Sequence, residues 1–137
     1  MIQPKYLLMI TALIEAVTGL MLLALPSVPI VLLLGVEHSA PETILVARIA
    51  GAALLTFGVA CWFAPNNQDR RAQLGLLTAI LIYDVAATAL LAYAGLVLNM
   101  AGLVLWPAVL IHSALAIWCV LIVWGKQREG VFSNRRQ

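Results

Sequence analysis

The chain has 137 residues, of which 64% are apolar and only 10% charged, with a formal net charge of +2 and a mean hydropathy of +1.02. A soluble domain carries about 25% charged residues, so a water-soluble fold is excluded. Four spans of about 20 residues each would place roughly 80 residues in hydrocarbon and leave too little chain for an extramembrane domain. The composition therefore predicts a single all-α integral membrane domain over residues 1–137.

Four apolar stretches are long enough to cross a core of about 30 Å at 1.5 Å per residue: approximately residues 6–25, 43–63, 74–97 and 102–124. Pro26 and Pro29 end the first, the run from Pro65 to Asp69 ends the second, Asn99 follows the third, and Gly125 with Lys126 is expected to close the fourth. The apolar run from Ile30 to Leu34 is too short to span and could be a helical extension, a re-entrant piece or an interfacial helix. At the N-terminus, Lys5 leads directly into a full-length span containing Glu15, which reads as a retained helix and not as a signal peptide.

Lys5, Arg70, Arg71, Lys126, Arg128, Arg135 and Arg136 all fall on one side of this arrangement, while Glu37, His38, Glu42 and Asn99 occupy the other. The positive-inside rule then predicts both termini cytoplasmic; the expected location is a bacterial inner membrane, crossed several times. Trp62, Trp124 and Tyr6 would lie at the inner interface and Trp106 at the outer one. The basic ends favour contact with anionic membrane lipid. No nucleic-acid partner is expected.

Glu15, Arg48, Asp84 and His112 put one ionisable residue in each span, at a cost of about 2.5 to 3.5 kcal/mol for each charge at a helix centre. Counting from the span ends places Glu15, Asp84 and His112 near the midplane, whereas Arg48 lies roughly 8 Å below the outer edge, able to snorkel outward or reach inward. Helical spacing gathers small and polar residues with each of them: Thr11, Thr18 and Gly19 with Glu15, Gly51, Ala52 and Thr56 with Arg48, Thr88, Ala92 and Gly95 with Asp84, and Ala108, Ala116 and Cys119 with His112. These stripes are expected to face the bundle interior. Glu15, Arg48, Asp84 and His112 are thus the candidate ligand-binding or proton-linked residues, with Thr11, Thr18, Thr56, Tyr83 and Thr88 as possible lining. The plainest account is interhelical hydrogen bonding closed to ligands. Two acids against one Arg leave the layer neutral only if His112 is protonated or one carboxyl holds a proton, so the layer is proton-linked in either case.

Other chemistry has no local signature. Cys61 and Cys119 form no C-x-x-C pair and read as buried small apolar residues, and Tyr83 reads equally as a packing residue or a ligand. A single mid-membrane His cannot give bis-His haem ligation, although Met9 or Met21 could supply a second ligand. His38, beside Glu37 and Glu42, could meet a surface metal or simply be solvated. There is no H-E-x-x-H, phosphate loop or G-x-S-x-G elbow. No cofactor is expected.

Two resemblances follow from these residues. The strings Ile14-Glu15-Ala16-Val17-Thr18-Gly19-Leu20, Ala47-Arg48-Ile49-Ala50-Gly51-Ala52-Ala53-Leu54, Tyr83-Asp84, Trp106-Pro107 and Ile111-His112 resemble the small uncharacterised four-span bacterial membrane proteins of the broad DoxX-like kind. That resemblance implies a four-helix bundle associated with a membrane redox system. The chain is also similar to small multidrug resistance transporters in having four spans and a membrane-embedded Glu15 in the first; it departs from them in adding Arg48, Asp84 and His112 and in its one-sided charge bias. The leading expectation is a small binding or accessory subunit. Its polar layer would bind a quinone or lipid, or a partner helix of a larger membrane complex. The runner-up is a proton-coupled transporter working as a homo-oligomer. A third reading is an enzyme on a lipid-soluble substrate, with Asp84 and His112 as acid and base.

Overall fold

The computed structural model describes residues 4–64 and 70–134. They form five helices in chain order: α1 (Pro4–Ala24), α2 (Ser27–Leu34), α3 (Pro41–Phe63), α4 (Arg70–Leu96) and α5 (Leu105–Asn134). All but the eight-residue α2 are long and apolar enough to cross a membrane. Prolines mark the starts. Pro4 and Pro41 occupy the first positions of α1 and α3, and Pro29 and Pro107 the third positions of α2 and α5, where the missing N–H has no intrahelical partner to lose.

The end of the last helix differs from expectation. The chain does not stop at Gly125 and Lys126; α5 continues to Asn134. A lone glycine costs a helix only about 1 kcal/mol, and Lys126, Gln127, Arg128 and Glu129 are good helix formers that carry the last turns onward. The short apolar run is a separate helix, α2, closed by Gly35 in the left-handed conformation with φ of 71°, which glycine adopts without a Cβ clash. The expected turn from Pro65 to Asp69 lies outside the described residues, as do Arg135 and Arg136.

The four long helices run up, down, up and down. Helix α1 packs chiefly on α3, and α4 on α5, while α2 bridges α1 and α5. The α1–α3 seam is made by glycines. A Cβ on Gly19 would stand 2.5 Å from the Leu55 amide nitrogen and 2.7 Å from the Gly51 oxygen, and one on Gly58 would stand 2.8 Å from the Ala16 nitrogen. Such backbone approach is how helices associate where hydrocarbon offers no hydrophobic drive. The surface is correspondingly apolar: Leu13, Leu20, Leu45, Ile49, Ile82, Leu90 and Leu110 are all exposed.

The seam also corrects the expected inward face of α3. Gly51, Gly58 and Cys61 are its buried residues, whereas Arg48, Ala52 and Thr56 are exposed. At the end where α1 begins and α5 terminates, Leu7, Leu8, Ala12, Cys61, Leu77, Ile80, Leu115, Cys119 and Ile122 form a closed core drawn from all four long helices. At the opposite end α2 lies across the bundle. It is tied to the α4–α5 connection by a hydrogen bond from the Val104 N–H to the Leu32 carbonyl at 2.9 Å and by packing of Gly102 on the Leu33 backbone.

Candidate functional site

Between the closed core and α2 lies a polar layer. Glu15 on α1 and Asp84 on α4 are 1% and 0% exposed, and their partners come from across the bundle. The Tyr83 hydroxyl donates to Glu15 Oε2 at 3.1 Å, joining the α1–α3 hairpin to the α4–α5 hairpin. His112 Nδ1 lies 2.8 Å from Asp84 Oδ1, joining α5 to α4. A carboxylate on one ring nitrogen fixes the imidazole's orientation and directs its other nitrogen elsewhere. Tyr83 is held in turn by ring contacts of 5.6 Å with Phe57 on one side and His112 on the other.

The layer is not saturated. Glu15 Oε1, Asp84 Oδ2 and Thr11 Oγ1 are buried with no hydrogen-bond partner among the described residues. Thr11 sits one helical turn before Glu15, so the two share a face of α1. Unused acceptors in a buried site each cost about 1 to 3 kcal/mol unless a proton or a small polar guest satisfies them. The charge count made from the sequence included Arg48, which lies outside this layer.

Above the layer the hairpins part around a cavity of about 520 Å³, within the range of roughly 300–1,000 Å³ that suits small organic ligands. Small side chains, Ala86 and Ala87 on α4 and Ala108 on α5, leave the space. Tyr83 and His112 form its polar side, Thr18 adds a hydroxyl, and Pro29, Leu32 and Leu33 of α2 close the far end. The rest of the wall is hydrocarbon. Leu90 and Ile111 line the cavity and are also exposed, so the cavity reaches the apolar surface of the bundle. A smaller hollow of about 250 Å³ lies between the end of α3 and the start of α4.

Of the residues anticipated from sequence, Glu15, Asp84, His112, Tyr83 and Thr11 come together in one layer, and Thr18 borders the cavity. Thr88 meets Ser113 at 3.5 Å; because the Ser113 hydroxyl donates to the Val109 carbonyl at 2.7 Å, Thr88 is the donor between them. Arg48 and Thr56 stand apart. Thr56 bonds its own helix at the Ala52 carbonyl, and Arg48 is exposed on α3, with no ion pair among the described residues.

Ser113 and Phe57 were not anticipated, and their positions beside His112 and Thr56 carried no signal, since adjacent residues on a helix face different ways. Both cysteines are buried and free, as expected, and the Cys119 thiol donates to the Leu77 carbonyl at 3.1 Å. Among the described residues, no group of three His, Cys, Asp or Glu side chains is arranged to hold a metal ion.

No family model matches the chain, and no curated protein or solved structure matches it either.

Proposed function

We propose that this protein is a small four-span membrane subunit that holds a lipid-soluble molecule with a polar head in the cavity between its two helical hairpins. One observation carries this reading: the cavity is walled by hydrocarbon, yet its one polar side is made by Tyr83 and His112, which are anchored to Glu15 and Asp84. Glue alone would need no space. A quinone or a lipid of suitable length is the occupant, its head against Tyr83 and His112 and its tail leaving past Leu90 and Ile111. The distribution of Lys and Arg supports an inner-membrane location with cytoplasmic termini. Exposed Trp62 and Trp124 at one end and exposed Trp106 at the other support the same placement, as interfacial anchors.

The test is photolabelling of the purified full chain in lipid nanodiscs with a long-chain alkyl diazirine, mapped by mass spectrometry. Adducts are expected on α4 and α5 residues of the cavity. Ala87→Phe and Ala108→Phe, which fill the space, should remove at least nine-tenths of them. Labelling spread evenly over the outer surface and indifferent to both substitutions would refute the proposal.

A further inference from the structure

We infer that the cavity selects an uncharged head, a hydroxyl or carbonyl group, and rejects amphiphiles of the same length that carry a full charge. This deepens the reading above and rests on it.

None of the residues lining the cavity is Lys, Arg, Asp or Glu. The charged groups lie one step behind. Glu15 and Asp84 are fully buried and reach the cavity only through Tyr83 and His112. In a medium of low dielectric constant their field acts over that short distance with little screening. A phosphate, sulfonate or carboxylate head would face two acidic side chains with only His112 to offset them, and no arginine is among the described lining residues. Desolvating an anion without a paired cation is prohibitive.

An ammonium head fails for a different reason. The carboxylate oxygens that could pair with it are already engaged or enclosed: Asp84 Oδ1 by His112, Glu15 Oε2 by Tyr83, and the other two oxygens are buried away from any surface. The field of Glu15 and Asp84 draws a cation in, but a cation in the cavity would lose its hydration and gain no direct counter-ion, a desolvation cost that attraction at one remove does not repay, while it stands beside an imidazole that competes for the same Asp84.

A neutral head meets neither penalty. His112 has a second ring nitrogen with no partner among the described residues. It can accept from a hydroxyl when the ring is neutral or donate to a carbonyl when the ring is protonated. The Tyr83 oxygen, having donated its proton to Glu15, retains lone pairs for a hydroxyl. The same two side chains therefore serve an alcohol or quinol head when the ring is neutral and a ketone or quinone head when it is protonated.

Three photoreactive probes with one diazirine-bearing alkyl chain and different heads, an alcohol, a sulfonate and a primary amine, test this at pH 7 on the full chain in nanodiscs, normalised to their partition into empty discs. The alcohol is expected to label cavity residues at least tenfold more than either charged probe. Glu15→Gln and Asp84→Asn should each raise sulfonate labelling severalfold by removing the repelling charge, and two variants guard against one failing to fold. Equal labelling by the sulfonate, or stronger labelling by the amine, overturns head selection while leaving the cavity reading intact. Failure of all three to label the cavity removes the cavity reading and this inference with it.

Discussion

The two halves of the bundle are built from the same residue types and end differently. Toward the chain termini, Leu7, Leu77, Ile80 and Leu115 interlock and the four helices close. Toward α2, Ala86, Ala87, Ala108 and Thr18 face one another and the hairpins stand apart around about 520 Å³. Hydropathy does not distinguish the halves; side-chain volume at facing positions does. In hydrocarbon, where burial of apolar surface gives no driving force, closure depends on packing contact. A half lined by alanines offers few such contacts.

That contrast can be broken most forcefully at the glycine seam, which runs through both halves. Gly19→Leu puts a side chain into the backbone of α3, where a first carbon already stands 2.5 Å from the Leu55 nitrogen. It should cost about 3 kcal/mol or more and yield little monodisperse protein by size-exclusion chromatography. His112→Ala comes next. Removing the partner of a buried carboxylate should cost about 3 kcal/mol, seen as an earlier midpoint in SDS unfolding, while His112→Gln should recover part of it.

The direct comparison is a matched pair of truncations. Leu77→Ala in the closed half should lose about 2 kcal/mol or more, whereas Leu91→Ala, which already borders empty space, should lose less than about 1 kcal/mol. Equal losses would mean that the hollow is filled as tightly as the core. Gly75→Ala gives the smallest effect. Its Cβ meets nothing within 4 Å, so helix propensity alone should stabilise α4 by about 0.5–1 kcal/mol.

Much of this was legible in the sequence, for reasons that separate cleanly. Four apolar stretches of spanning length and prolines at helix starts made the helices readable. The depth of Glu15, Asp84 and His112 could be counted because a helix rises uniformly, and the three do share a layer. The face of α3 could not be chosen. Gly51 and Thr56 lie at opposite edges of the stripe that holds Arg48 and Ala52, and periodicity has no means of saying which edge turns inward. The difference is a matter of distance: only glycine allows the backbone contact with Gly19 and Ala16, so the glycine edge turned inward and carried Arg48 out. Tyr83 was obscured by Asp84 beside it, since neighbours on a helix point about 100° apart. Both face the interior because the hairpins are parted widely enough for α4 to present a broad inner surface. The cavity itself was beyond pattern reading, because it comes from alanines on separate helices meeting at one level.

The hydrogen bond from Tyr83 to Glu15 spans 68 residues of sequence, and this sets an order of events during synthesis. Both helices of the glycine seam lie within the first 63 residues, so α1 and α3 can pair before α4 has left the ribosome, as N-terminal units generally assemble first. Glu15 acquires its partner only when the second hairpin docks. Assembly and the appearance of the cavity are therefore one step: a chain with only its first hairpin formed carries an unanswered acid, and the arrival of Tyr83 both quiets that acid and creates the room beside it.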